Sequence, residues 1–421
     1  MKDFLQYKIS HIHLNDQQNL SKPETNNQGN YIVFWWKEIA LGDLFIEPNQ
    51  LLSEEEYLNK LLTAIHPAII FYSKNSANLD ENRKEYFKRN NLEDWKKDLE
   101  IILTSYIPEH VPEKVPVSVV ICTRNRSSHL YKCLSLLRKL TCIPQEIIVV
   151  DNAPDDDTIL RVAQQFEEVI YIKEPQKGLD FARNTGLSKA KCPVIAFTDD
   201  DVIVHHLWVY RIWEGFQNPA VAAMTGLVIA AELETEAQFI FEKFWSFNRG
   251  YADKIYDNSF FQSTLAKGPP VWEIGAGANM AFRKSVFEET GNFHELLDVG
   301  AAGCNGDSEM WYRILAKGFE IQYNPRAIAY HEHRKEIKGL KKQIYYYMRG
   351  YTAAALIQQK QRPDAGYKHH IYFTFPKYYA TLLKRGFPGY RYRYSTVLNE
   401  IKGVLSGLLF YYKNRNWKAN P

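Results

Sequence analysis

Between residues 116 and 201, short apolar runs alternate with segments of helical period. Residues 117–122, 146–151 and 169–172, and the run that starts at Val194, read as buried strands: compact apolar stretches bounded by polar residues. Between the first two, 129–140 places Leu130, Cys133, Leu134 and Leu137 on one helical face, and 158–166 and 179–190 also read as helices. Regular strand–helix order predicts an α/β domain with a parallel, right-handed, doubly wound sheet. Ligands of such sheets bind beyond the strand C-termini. Three strands end there in polar residues, Thr123-Arg124-Asn125, Asp151-Asn152 and Asp199-Asp200-Asp201, so one mouth collects them.

The flanks have a different texture. Residues 1–115 predict a smaller α+β domain, with an aromatic strand at 31–36, a turn at Gly42-Asp43 before Leu44-Phe45-Ile46, and a capped amphipathic helix at 53–65. The polar run 74–91 reads as exposed helix or loop, and Pro108, Pro112 and Pro116 mark a linker. No catalytic pattern stands out in this unit. Residues 336–421 read as a helical C-terminal extension, basic and rich in tyrosine.

The Asp triplet changes the picture from fold to chemistry. Three adjacent carboxylates at a strand end repel one another, and a divalent cation with oxygen ligands relieves that repulsion. The other reading is a solvated acidic turn. No Gly-rich phosphate loop follows the first strand, which counts against dehydrogenases, P-loop NTPases and sugar-nucleotide nucleotidyltransferases. Metal and Arg or Lys are left to hold any phosphate.

Charge adds a partner for the tail. The overall formal charge is +3, yet residues 334–421 carry 18 Lys and Arg against 3 Asp and Glu, and 13 of the 27 Tyr fall within 336–421. Tyr with cations suits an anionic membrane surface. The alternatives are a helical cover on the α/β domain and, less fitting, nucleic acid. The 5 Cys lack zinc or CxxC spacing, residues 1–15 hold no apolar signal core, and no run approaches a membrane span. A cytoplasmic protein, peripheral to the inner membrane face through its tail, is the expectation.

Taken in order, 117–126, 147–152, 178–186, 197–201, 275–283, 306–309 and 330–333 resemble family 2 glycosyltransferases, over residues 116–335. The resemblance implies a GT-A type, Rossmann-like, doubly wound mixed sheet and an inverting, metal-dependent transferase. Its donor would be a nucleoside-diphosphate sugar, with UDP favoured, and its acceptor a saccharide or lipid-linked glycan in surface polysaccharide assembly. It assigns Asp151 to the nucleobase, and Thr123, Arg124, Arg183, Asp199 and Asp200 to the rest of the donor. Asp201 and His331 would hold Mn²⁺ or Mg²⁺, and Asp307 would be the catalytic base. Gly306 stands where the family pattern has Glu, which leaves Glu309 as the alternative base. Trp272 is a candidate for stacking on a sugar face. The contrasting class is a non-catalytic glycan-binding or scaffold protein on the same fold.

Overall fold

The computed structural model describes residues 4–16, 22–23, 27–73 and 92–417, so the expectation for 74–91 lies outside the described residues. At the N-terminus β1 (Tyr7–His13), β2 (Gly29–Trp36) and β3 (Ile39–Ile46) form a three-stranded sheet, with β1 parallel and β3 antiparallel to β2. Every residue of β2 is buried, as its aromatic and β-branched run requires.

The predicted turn at Gly42-Asp43 is not there. The chain turns at Lys37-Glu38, and β3 runs straight through Gly42. That glycine serves close approach: a Cβ would lie 2.4 Å from the Ala64 carbonyl oxygen of α1 (Glu54–Tyr72). The predicted cap of α1 is present, with Ser53 Oγ accepting from the Glu56 amide at 3.2 Å and Glu56 Oε2 accepting from the Ser53 amide at 2.8 Å. The helix then runs past the expected end at 65, through Pro67. A second helix, α2 (Leu92–Leu103), precedes the α/β segment.

The large sheet follows the predicted alternation in one half. Its strands β4 (Lys114–Thr123), β5 (Ile143–Asn152), β6 (Val169–Glu174) and β7 (Val194–Asp199) are parallel. Helices α3 (Ser127–Leu137), α4 (Thr158–Ala163) and α5 (Leu179–Lys189) connect them. Beyond β7 the sheet becomes mixed. Strands β8 (Val202–Val204), β9 (Val221–Ala230), β10 (Lys254–Tyr256), β11 (Asn279–Arg283) and β12 (Glu320–His331) complete it. The order is β10-β12-β9-β11-β7-β4-β5-β6, with β8 on β12, and β11 runs antiparallel to both neighbours.

Helices α6 (Trp208–Gly215), α7 (Glu236–Trp245) and α8 (Gly306–Ala316) follow later in the chain. The tail is helical, with α9 (Ile337–Gln361), α10 (Phe375–Gly386) and α11 (Val397–Asn414). It packs as a cover. Leu340 and Ile344 of α9 enter one apolar core that also holds Tyr31, Leu61, Leu227 and Ile240, so the N-terminal sheet, the α/β segment and the tail share that core. Among the described residues no helix is long and apolar enough to cross a membrane.

Candidate active site

The mouth predicted at the C-termini of β4, β5 and β7 is assembled by hydrogen bonds between their ends. Thr123 Oγ1 donates to Asp200 Oδ2 at 2.6 Å. Arg126, just before α3, sends Nη1 to Asp200 Oδ1 at 2.6 Å and to Asp201 Oδ2 at 2.8 Å. Both oxygens of Asp200, only 5% exposed, are thereby occupied. Asp200 locks the turn from within, while Asp199 and Asp201 place their carboxylates beside His331.

Asp199, Asp201 and His331 place ligand atoms within 4.8 Å of one another. Two carboxylates and an imidazole form a donor set that suits Mn²⁺ or Mg²⁺. Their protonation fits the same use. Burial, and next the Asp201 carboxylate, push Asp199 up to about 7. Against burial, His331 when its ring is protonated, and the Arg126 guanidinium, hold Asp201 below the usual carboxylate range. Burial pushes His331 down to about 4, so its ring is neutral near pH 7 and offers a lone pair.

His331 is oriented from behind. Its Nε2 lies 3.8 Å from Asp201 Oδ1, and its Nδ1 meets His333 Nδ1 at 3.1 Å. His333 Nε2 in turn reaches Glu242 Oε2 of α7 at 2.8 Å. The tautomers follow from the carboxylate: His333 carries its proton on Nε2 and donates to Glu242, so its Nδ1 accepts from His331 Nδ1–H. His331 Nε2 is then left unprotonated toward the acidic pair.

Near the end of β5, Asp151 is fully buried, and Tyr171 donates to its Oδ2 at 2.9 Å. Burial raises its carboxyl, with Tyr171 opposing. Its Oδ1 has no partner among the described residues. A buried acceptor left open at a strand end is what an incoming N–H donor would satisfy. Arg124 borders it, held by Nε to the Ala153 carbonyl at 3.2 Å and by Nη2 to Asp155 at 3.4 Å.

Arg183 is placed differently from a freely reaching cation. It is 4% exposed, and its Nη1 bonds Asp180 Oδ1 at 2.9 Å and Asp298 Oδ2 at 2.6 Å. Burial and then Asp298 push Asp180 well above the usual carboxylate range. Asp307, in the first turn of α8, accepts the Ser308 amide on Oδ1 at 2.6 Å and the Gly277 amide on Oδ2 at 2.7 Å. Gly277 must be small, since a Cβ there would lie 2.9 Å from both Arg183 Nη2 and Asp307 Oδ2. Glu309 is fully buried and paired to Arg313 Nη2 at 2.8 Å, turned away from this group. Trp272 packs edge-on against Tyr351 of α9, with ring centroids 5.0 Å apart.

The structure therefore gathers Thr123, Asp199, Asp200, Asp201 and His331 into one cluster. It sets Asp151 and Arg124 at the β5 end, and Arg183 beside Asp307. Sequence reasoning does not reach Arg126, Asp180, Asp298 or Glu242. Arg126, three residues after Thr123, and the Asp180–Arg183 spacing on a helix are local signals that could have found two of them. Asp298 and Glu242 carry no local signal. A second grouping, Glu38 with His205 and His206 at 3.0 and 2.9 Å, ties the β2–β3 turn to the segment after β8.

Comparison with known proteins gives a concordant picture. The family described as "Glycosyl transferase family 2" matches residues 118–291. Glycosyltransferase AglE of Haloferax volcanii is 28% identical over 235 residues, spanning 54% of this chain and 70% of that protein. Pre-mycofactocin glycosyltransferase of Mycobacterium tuberculosis is 26% identical over 226 residues, spanning 53% of this chain but 44% of that one. Among solved structures, the mannosyltransferase PcManGT from Pyrobaculum calidifontis, in complex with GDP-Man and Mn²⁺, is 16% identical. It superimposes with a TM-score of 0.45 over 81% of this chain and 98% of that one.

Proposed function

From the match of residues 118–291 to the family 2 glycosyltransferases, we propose an inverting, metal-dependent transferase that moves a sugar from a UDP-sugar to a saccharide or lipid-linked acceptor. The observation that carries this reading is the convergence of Asp199, Asp201 and His331 in the mouth that also holds the open Oδ1 of Asp151. A cytoplasmic setting, with the acceptor at the inner membrane face in surface glycan assembly, belongs to the same proposal.

Asp151 Oδ1 accepts the imide N–H of the base, an edge that uracil offers, while Tyr171 fixes the other oxygen. Thr123, Arg124 and Asp200 shape the floor beneath the ribose and diphosphate. Asp199, Asp201 and His331 hold the divalent cation, which when bound supplies positive charge to the departing diphosphate. Arg183 holds Asp180 and Asp298 in place and keeps positive charge beside Asp307. Asp307 takes the proton of the acceptor hydroxyl as that oxygen attacks the anomeric carbon. The bond from that carbon to the diphosphate breaks on the opposite face, its electron pair leaves with UDP, and the configuration inverts. The Gly277 amide holds Asp307 in position without neutralising it.

Calorimetric titration with UDP, GDP and dTDP, each with and without Mn²⁺, tests the donor site. UDP binding that requires Mn²⁺ is expected. Preference for GDP would overturn the assignment of Asp151, and no binding to any of the three would favour a non-catalytic glycan-binding protein.

The His331–His333–Glu242 chain gives a separate expectation. Glu242→Gln presents an amide that can donate to His333 and reverse the tautomers, so Mn²⁺ affinity should fall roughly 10–100-fold. The protein without nucleotide, titrated with Mn²⁺, reads this directly. Unchanged affinity would remove Glu242 from the site.

A further inference from the structure

The outward face of α11 is apolar where a helix covering a soluble domain should be polar. Leu398, Leu405, Leu409 and Tyr412 are 55%, 56%, 74% and 53% exposed. Their spacings of about seven, four and three residues align them in one stripe along the helix. This is the outer side of the tail, because Gly403 and Gly407 on the other side lie against the α9 backbone at Tyr345 and Arg349. Tyr372 donates to or accepts from Tyr412 through their hydroxyls at 2.9 Å, which extends the patch to Tyr372 and to Phe373, 59% exposed.

Cations frame the stripe. Lys402 and Lys413 are exposed on α11 itself. At the Leu398 end a pocket of about 540 Å³ opens between α9 and α11, lined by Lys338, Lys341, Lys342, Tyr345 and Asn399. None of these three lysines has an ion-pair partner among the described residues. Residues 334–421 together carry a net charge of +15. Apolar side chains in a row, flanked by lysines without partners and by tyrosines, match the layered chemistry of a lipid surface, with acyl boundary below and anionic headgroups above.

We propose that the outer face of α11, with the lysine pocket on α9, docks on an anionic phospholipid bilayer. This deepens the membrane-side setting proposed above, and it rests on that reading only for the acceptor. The pocket takes lipid phosphate, and the stripe sinks to the acyl boundary. Because α9 also packs its Gly350 against the Cys304 backbone, just before Asp307, one helix links the docking face to the acceptor side of the mouth.

Co-sedimentation with vesicles of phosphatidylcholine, alone or with roughly 30% phosphatidylglycerol, tests the surface. Binding to the anionic vesicles, weak binding to neutral ones and loss at high salt are expected. The double variant Leu405→Asp, Leu409→Asp should bind at least about tenfold less, and so should Lys338→Gln, Lys341→Gln, Lys342→Gln. Both should keep the melting temperature and the Mn²⁺-dependent UDP binding of the parent, which separates failure of docking from failure of the donor site. Equal partition to neutral vesicles, or variants that sediment like the parent, would overturn the proposal. So would a dimer in solution that the leucine variant dissociates, since the face would then cover a second copy of the chain.

Discussion

Asp201→Ala is expected to lower sugar transfer by about a thousandfold and to abolish Mn²⁺-dependent nucleotide binding. The substitution removes one of three converging candidate ligands, and with it the carboxylate that Arg126 pairs with at 2.8 Å. The fold should survive, because Arg126 keeps Asp200 as a partner at 2.6 Å and Thr123 still bonds the same residue. A melting curve within a few degrees of the parent, with metal binding lost, separates ligand loss from unfolding. The pH dependence has a definite sign. Metal binding needs Asp199 deprotonated, and that group titrates near about 7. Protons therefore compete below that value, and Mn²⁺ affinity should fall by up to about tenfold per pH unit, levelling off above it. Titrations at several pH values check the slope. Affinity that is flat from pH 5 to 8, an interval of roughly three units, would show that Asp199 is not a ligand.

Asp307→Asn should reduce kcat by about 10²–10⁴-fold while leaving UDP and Mn²⁺ binding intact. The amide oxygen still accepts one of the two N–H groups, from Gly277 or Ser308, while the other loses its acceptor, and no base remains to take the acceptor proton. Glu309→Gln is the informative companion. Glu309 is buried against Arg313, so its loss should lower the melting temperature and leave kcat near that of the parent. Steady-state kinetics of both variants decide between the two carboxylates. If Glu309→Gln, still folded, lost activity and Asp307→Asn kept it, the base would be reassigned.

The parallel half of the fold was legible because β4, β5 and β7 are largely buried, and continuous apolar runs broken by helical period leave few topologies; β6, expected as a buried strand, is instead the half-exposed edge of the sheet. The mixed part was less so: β11 enters antiparallel between β7 and β9, and nothing local in Asn279–Arg283 states its direction. In the N-terminal unit, Gly42-Asp43 has the composition of a turn, yet the packing of α1 on β3 makes that glycine a contact residue. The acidic triplet announced the site through its charge. Its internal division of labour was hidden, since only the partners of Asp200, namely Thr123 and Arg126, show which carboxylate turns inward. Glu242 was out of reach for a simpler reason: 91 residues separate it from His333, and only the approach of α7 to the end of β12 brings them together.

The central claim is a metal-dependent transfer from a nucleotide sugar. Its most direct test is the release of nucleoside diphosphate from a panel of sugar nucleotides by the purified chain, after chelation and again after Mn²⁺ is restored. Release from a UDP-sugar that stops on chelation, returns with Mn²⁺ and is absent in Asp201→Ala is the expected result. Release that continues undiminished after chelation, or that survives in Asp201→Ala, would contradict it.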